Sequence, residues 1–316
     1  MKGDIRKARI DAKSNQGANF SRLRQYGLYG PYSPATAVLS DSELDELQPE
    51  DLLGRLRKLN SYEHRVMYYG PASLKQVITE VNALHRTPEK LTPVVKKAAF
   101  RYVETPENKV LLAPYDASQI YMTAVSNRGE KFDVTFEPVI ALYNEYFGGG
   151  MNSIVFQEMR EVRGLAYAAD AGLNEPSKWN RPYLFTTFIA TQNDKMKDAL
   201  AAFDQIINDM PLSENAFQLA KEALLTRIRT TRTTKADVLW SYVALEDLGL
   251  TEDRNRALFE KVQKLTLDDV KAFQEKWVKG RKYTYCILGN EKELDMKALS
   301  KYGTIIRLKT EDIFGY

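Results

Sequence analysis

Two stretches of this chain carry the same landmarks in the same order, one fixed spacing apart. Arg9-Ile10 recurs as Arg227-Ile228, Ala18-Asn19 as Ala236-Asp237, and Leu47 with Asp51-Leu52 as Leu265 with Asp269-Val270. Each pair is separated by 218 positions (227 − 9, 236 − 18, 265 − 47). One residue further out of step, Tyr69-Gly70 and Leu288-Gly289 each close an apolar run. An offset held over four landmarks points to a duplicated unit, and the two copies should fold alike. Residues 98–316 read as one whole unit. Residues 1–90 match only the last third of it, and are expected to be the carboxy-terminal portion of a preceding homologous unit. Residues 91–97 are the expected linker, in a stretch where Pro88 and Pro93 disfavour helix. On this reading the chain is the carboxy-terminal part of a longer polypeptide.

A length of 316 residues suits two domains, and 44% hydrophobic with 28% charged residues allows a real core. The net charge of +3 gives no strong drive toward nucleic acid or an anionic membrane. No apolar stretch approaches the ~20 residues of a membrane span, so no transmembrane segment is expected. The first residues, Met1 to Lys7, lack the apolar core of a signal peptide. Nothing in the sequence specifies a compartment. The single cysteine, Cys286, sits in the apolar run Tyr283–Leu288 and is expected to be a small buried hydrophobe.

Apolar periodicity predicts strands at 109–114, 119–125, 166–173, 183–191 and 283–288. It predicts helices at 133–147, from Ser153 to before Gly164, at 196–210, 213–232, 236–248, 252–263 and 267–278. The first 90 residues offer helices near 1–13, 17–28, 39–46, 49–59 and 72–85, with a strand at 65–69. Strands paired early and helices grouped late give an α+β fold, an antiparallel sheet with helices on one face.

The segment Phe147–Tyr167 is the most informative. A helix runs into Gly148-Gly149-Gly150, a short helix restarts, and Gly164 leads into a strand. Arg160 and Tyr167 flank that last turn, and both can grip a peptide carbonyl. No lysine follows the glycines as a phosphate loop requires, so they read as a helix stop that permits close backbone approach. From the residues alone, Arg160 could equally be a surface arginine paired with Glu161 or Glu158, and Tyr167 a cap on the core edge.

Gly-Gly-Gly-Met-Asn-Ser followed by Arg-Glu-Val-Arg-Gly-Leu-Ala-Tyr resembles the second half of the pitrilysin and insulin-degrading-enzyme family of zinc peptidases, which includes the mitochondrial processing peptidase subunits. The resemblance covers essentially the whole chain. It implies two halves of paired α+β modules closing on a peptide, with 98–316 as the last module. It implies that Arg160 and Tyr167 reach the substrate carbonyl beside the scissile bond, with substrate contacts at Gly149, Gly150 and Asn152. Fixed donors aimed at a carbonyl that gains negative charge stabilise the transition state more than the ground state.

The family's zinc site, His-x-x-Glu-His with a distal glutamate, is missing. Only His64 and His85 occur, each read as a solvated or packing residue rather than a ligand. Zinc is therefore expected in an amino-terminal peptidase half, in the same chain or a partner subunit, and this chain alone is expected to hydrolyse nothing. The leading expectation is the carboxy-terminal, substrate-enclosing part of a zinc metalloendopeptidase acting on peptides or unfolded segments. A non-catalytic peptide-binding or scaffold homologue is the alternative. A nucleic-acid module built on the basic run Arg227–Lys235 is the weakest reading, because no aromatic platform interleaves it.

Overall fold

The computed structural model describes residues 1–95 and 99–316. The amino-terminal part is helical: α1 (Lys2–Lys13), α2 (Gln16–Tyr29), α3 (Asp41–Glu46), α4 (Pro49–Arg57) and α5 (Leu74–Leu84). The remainder runs β1 (Lys109–Pro114), β2 (Gln119–Ser126), α6 (Glu137–Phe147), α7 (Ile154–Phe156), β3 (Ala168–Asn174) and β4 (Leu184–Gln192). There follow α8 (Met196–Asn208), α9 (Glu214–Thr230), α10 (Ala236–Leu248), α11 (Asn255–Val262), α12 (Leu267–Phe273), β5 (Thr284–Gly289), α13 (Met296–Leu299), β6 (Thr304–Arg307) and α14 (Thr310–Phe314). The expected linker and the start of the second unit fall partly on residues 96–98, outside the described residues. Thr92 is tied back by its amide to the Ser61 carbonyl at 2.8 Å.

One pair of landmarks falls at a helix start in both stretches. The amide of Gln48 donates to the Asp51 carboxylate ahead of α4, and that of Thr266 to Asp269 ahead of α12, 218 residues on. A side chain that satisfies an orphan amide at a helix start is a local instruction, so these two helices start alike.

The α+β class expected from the sequence holds, in one six-stranded sheet ordered β3-β4-β2-β5-β1-β6. Two details differ. β1 and β2 do not pair: β5 lies between them, antiparallel to β2 and parallel to β1, and β6 is also parallel to β1. All six residues of β5 are buried, so the most apolar run takes the centre of the sheet. The sheet is also covered on both faces. Val110 and Leu112 of β1 and Ile287 of β5 join the large core under α6, α8 and α9. Their neighbours Leu111, Ala113, Cys286 and Leu288 face the other way, onto Leu23 of α2 and Ile313 and Phe314 of α14. That alternation is the two-residue period of a strand.

The expected strand at 65–69 does not form. A strand needs a neighbour to satisfy its backbone, and none of the described strands approaches it. Val66, Tyr68 and Tyr69 stay exposed, as do Leu74 and Leu84 of α5.

Cys286 is fully buried, and burial pushes its thiol up to about 12. It is a packing residue, and α2 rests on it. A carbon added at Gly27 would lie 2.4 Å from its sulfur. Gly→Ala in a helix ordinarily gains up to about 1 kcal/mol, but overpacking here should cost about 1–3 kcal/mol. Gly27→Ala is thus expected to lower the denaturation midpoint, and adding Cys286→Ala to recover part of the loss.

Candidate functional site

The turn between α6 and β3 is built by backbone contacts. At the end of α6, Gly148 lies flat on β3, where an added carbon would sit 1.8 Å from the Ala171 carbonyl oxygen. Just before it, the Asn144 amide donates to the Leu173 carbonyl at 3.0 Å and accepts from its N–H at 2.9 Å. β3 is an edge strand, and this contact covers groups that could otherwise recruit another strand. Ser153 starts α7, accepting from the Phe156 amide. From Gln157 to Val162 the winding loosens to a π-helix, a form frequent at functional sites. Gly164 (φ +59) then reverses the chain. Lys195 donates to the Gly164 carbonyl at 3.1 Å and the Thr191 hydroxyl to the Leu165 carbonyl at 2.6 Å.

This turn brings Arg160 and Tyr167 together. The guanidinium carbon lies 5.6 Å from the Tyr167 ring centroid and 5.0 Å from that of Phe156. Glu161 is 3.5 Å away, but both side chains are about half exposed, and such a pair is worth at most about 1 kcal/mol. Glu158 pairs instead with Arg163. Tyr167 does not cap the core: it is 70% exposed, beside a cleft of about 250 Å³ lined by Gln119, Gly164, Gln192 and Lys195. A cation held between two rings, next to a solvent-facing phenol, can donate hydrogen bonds to an incoming oxygen at little ordering cost.

Gly149, Gly150 and Asn152 are exposed on the same connection but at its other end. Roughly 12 Å of helix separates Asn152 from Arg160. The Gly150 carbonyl is already bonded by the Ser153 hydroxyl at 2.7 Å. Sequence reasoning missed Phe156, although its position four residues before Arg160 is a helix-face signal. It also missed Lys195 and Thr191, which come from the β4–α8 junction and carry no local signal.

The residues present do not fit a zinc centre. His64 and His85 meet, with Nε2 atoms 2.7 Å apart and His64 Nδ1 2.6 Å from the Tyr62 carbonyl. They pair with each other rather than standing alone, but no group of three or more metal-ligating side chains occurs among the described residues.

Two charged regions resolve into packing. Glu137, buried at the start of α6, has its carboxyl pushed up to about 7 by burial, against the nearby Arg254 and with Glu175 adding to the rise. Arg254 reaches Glu137 at 3.1 Å and Glu175 at 2.6 Å, tying α11 to α6 and to the turn after β3. In the basic run, Arg227 pairs with Glu145 at 2.7 Å and Arg229 covers the Phe259 ring. None of the described helices is long and apolar enough to cross a membrane.

Residues 120–224 match the family described as the Peptidase M16 inactive domain. The fold is shared with the crystal structure of a peptidase M16 inactive domain from Pseudomonas fluorescens: TM-score 0.67, 20% identity, covering 92% of this chain and 69% of that one. It is shared with a chain of complex III2 from Candida albicans: TM-score 0.60, 13% identity, covering 96% and 74%. It is shared with a mutant of the ferredoxin protease FusC bound to Arabidopsis ferredoxin: TM-score 0.64, 13% identity, covering 92% of this chain but 32% of that one. At such identities these likenesses establish the fold. No curated protein sequence matches. The chain thus has the α+β fold of these structures, and its residues 120–224 match the model of the peptidase M16 inactive domain. The resemblance read from the sequence holds.

A folded-state carboxyl raised from 4.5 to about 7 binds an extra proton between those values. Stability from this group is therefore fully present below pH 4.5 and is lost as pH rises through 7. Glu137→Gln should flatten the fall in unfolding free energy between pH 5 and 8, by about 1–2 kcal/mol after solvent screening. Urea titrations at several pH values would measure this; an unchanged slope would exonerate Glu137.

Proposed function

We propose that this chain is the substrate-enclosing, non-catalytic part of a zinc metalloendopeptidase that cleaves peptides or unfolded segments. The carrying observation is the Arg160–Tyr167 pair, solvent-facing beside a cleft, inside the segment that matches the inactive-domain family. In this reading the metal belongs to the amino-terminal half. The two side chains here bind the substrate carbonyl and hold it as its oxygen gains negative charge. Gly149, Gly150 and Asn152 contact the extended peptide further along.

The amino-terminal half also completes the first unit. α2 covers the outer face of the described sheet with Phe20, Leu23, Tyr26 and Gly27. The residues 218 later are Val238, Ser241, Ala244 and Leu245 of α10, all exposed or half-buried. We take α10 to close on the preceding unit's sheet as α2 closes on this one. The exposed face of α5 and the unpaired 65–69 run belong to that same contact.

A second reading, a scaffold without catalysis, is favoured by the shared fold with a chain of complex III2, a multi-subunit assembly. An upstream half lacking His-x-x-Glu-His would leave only that reading.

Mixed with an upstream half that carries the motif, this chain should support cleavage of a quenched fluorescent peptide. Arg160→Ala and Tyr167→Phe should each lower kcat ~10²–10³-fold with little change in KM; unchanged turnover would remove them from the reaction. Ser241→Glu with Ala244→Glu should abolish association with that half in sedimentation, while leaving this chain's own Tm unaltered.

A further inference from the structure

At the end of α6 remote from the Arg160–Tyr167 turn lies an open trough of about 460 Å³. Its floor is aromatic. Phe136 meets Trp277 edge-on at 4.9 Å, and Phe273 stacks on Trp277 at 6.0 Å. Its rim carries three ammonium groups, on Lys261, Lys264 and Lys276, against the single carboxylate of Asp269. That carboxylate caps the start of α12. The neighbouring acids are already paired, Glu260 with Arg256 and Glu275 with Lys279. Lys276 leans over the floor, its nitrogen 5.9 Å from the Phe136 centroid and 6.0 Å from that of Trp277.

Three cations against one carboxylate, around an apolar floor, select a ligand that is both anionic and apolar. The shape then narrows the class. A small ligand ordinarily buries 70–90% of its surface in a closed pocket, and a trough open along one side cannot supply that cover. A polypeptide brings its own. We infer that this trough docks an acidic peptide segment, laying one bulky apolar side chain over the half-buried rings of Phe136 and Trp277 while flanking carboxylates meet the lysines. The length of α6, about 16 Å, separates the trough from the glycine connection at the helix's other end, so the trough docks a partner's acidic segment independently of whether the Arg160–Tyr167 turn serves a peptidase.

The test uses the 316-residue chain and the blocked peptide Asp-Glu-Leu-Phe-Glu-Asp in titration calorimetry. Binding in the micromolar range is expected, weakening about tenfold or more between 50 and 300 mM salt as screening predicts. The triple variant Lys261→Glu, Lys264→Glu, Lys276→Glu should lose at least tenfold in affinity with its circular dichroism and Tm intact; the three lysine-to-glutamine changes serve if it does not fold. Arg160→Ala should bind the peptide as before. No binding up to millimolar peptide, equal affinity for Lys-Lys-Leu-Phe-Lys-Lys, or undiminished affinity in the charge variants would overturn the inference. Saturable binding of dodecanoate in place of the peptide would overturn it in favour of a fatty carboxylate.

Discussion

The sheet exists in this form because both of its faces are buried. β1 and β5 carry apolar side chains at successive positions, so each strand offers one set to the α6–α9 layer and the other to α2 and α14. With either layer removed, half of those side chains would face water, at about 25 cal/mol for each Å² exposed. The amino-terminal helices are therefore part of this domain's core, even though the repeat assigns their sequence to the preceding unit. Gly27 against Cys286 marks the closest approach, and the buried Asn19 side chain holds the α1–α2 corner by donating to the Ala12, Lys13 and Asn15 carbonyls.

The same two-sided burial fixes the functional turn. β3 is an edge strand, so the connection entering it could wander, yet it is pinned at both ends. Gly148 and Asn144 clamp it from α6, while Lys195 and Thr191 hold the carbonyls of Gly164 and Leu165 from the far end of β4. What remains outside is the π-helical stretch and Tyr167. Arg160 is thus delivered by a rigid frame but is itself lightly held, by ring faces and one weak ion pair. That balance suits the carbonyl-binding role proposed for it. A strong carboxylate partner would compete with an incoming carbonyl, whereas an aromatic face orients the guanidinium without consuming its donors.

Much of this was legible locally. The helices around 2–13, 16–29 and 49–57 carry their own period, the last two also a capping side chain in Asn15 and Asp51, and the Gly148–Tyr167 segment announced its turns through glycine. What stayed hidden was non-local. Nothing in Lys109–Pro114 says that its neighbour will be Thr284–Gly289 rather than Gln119–Ser126, because pairing depends on which run is apolar enough for the centre. β6, at four residues, is too short to show a period, and it exists because β1 offers it an edge. The failed strand at 65–69 is the converse: a suitable sequence with no described partner. Lys195 and Thr191 were invisible for the same reason, being 31 and 26 residues from the carbonyls they secure.

The repeat carries this argument furthest. If two copies fold alike, then a contact made by one copy is a statement about what the other requires. α2 then shows how its position in such a repeat would be used, because it covers the outer face of the described sheet. α10 occupies that position in the second copy, presenting Val238, Ser241, Ala244 and Leu245 with no described sheet against them. Exposed apolar groups on a helix are tolerated singly, but an exposed face together with an unpaired strand sequence and the bare face of α5 is a coherent surface. On the function proposed above, a half that brought a metal to Arg160 and Tyr167 would also be the one to bury α10, and closing the chamber would be coupled to covering that helix.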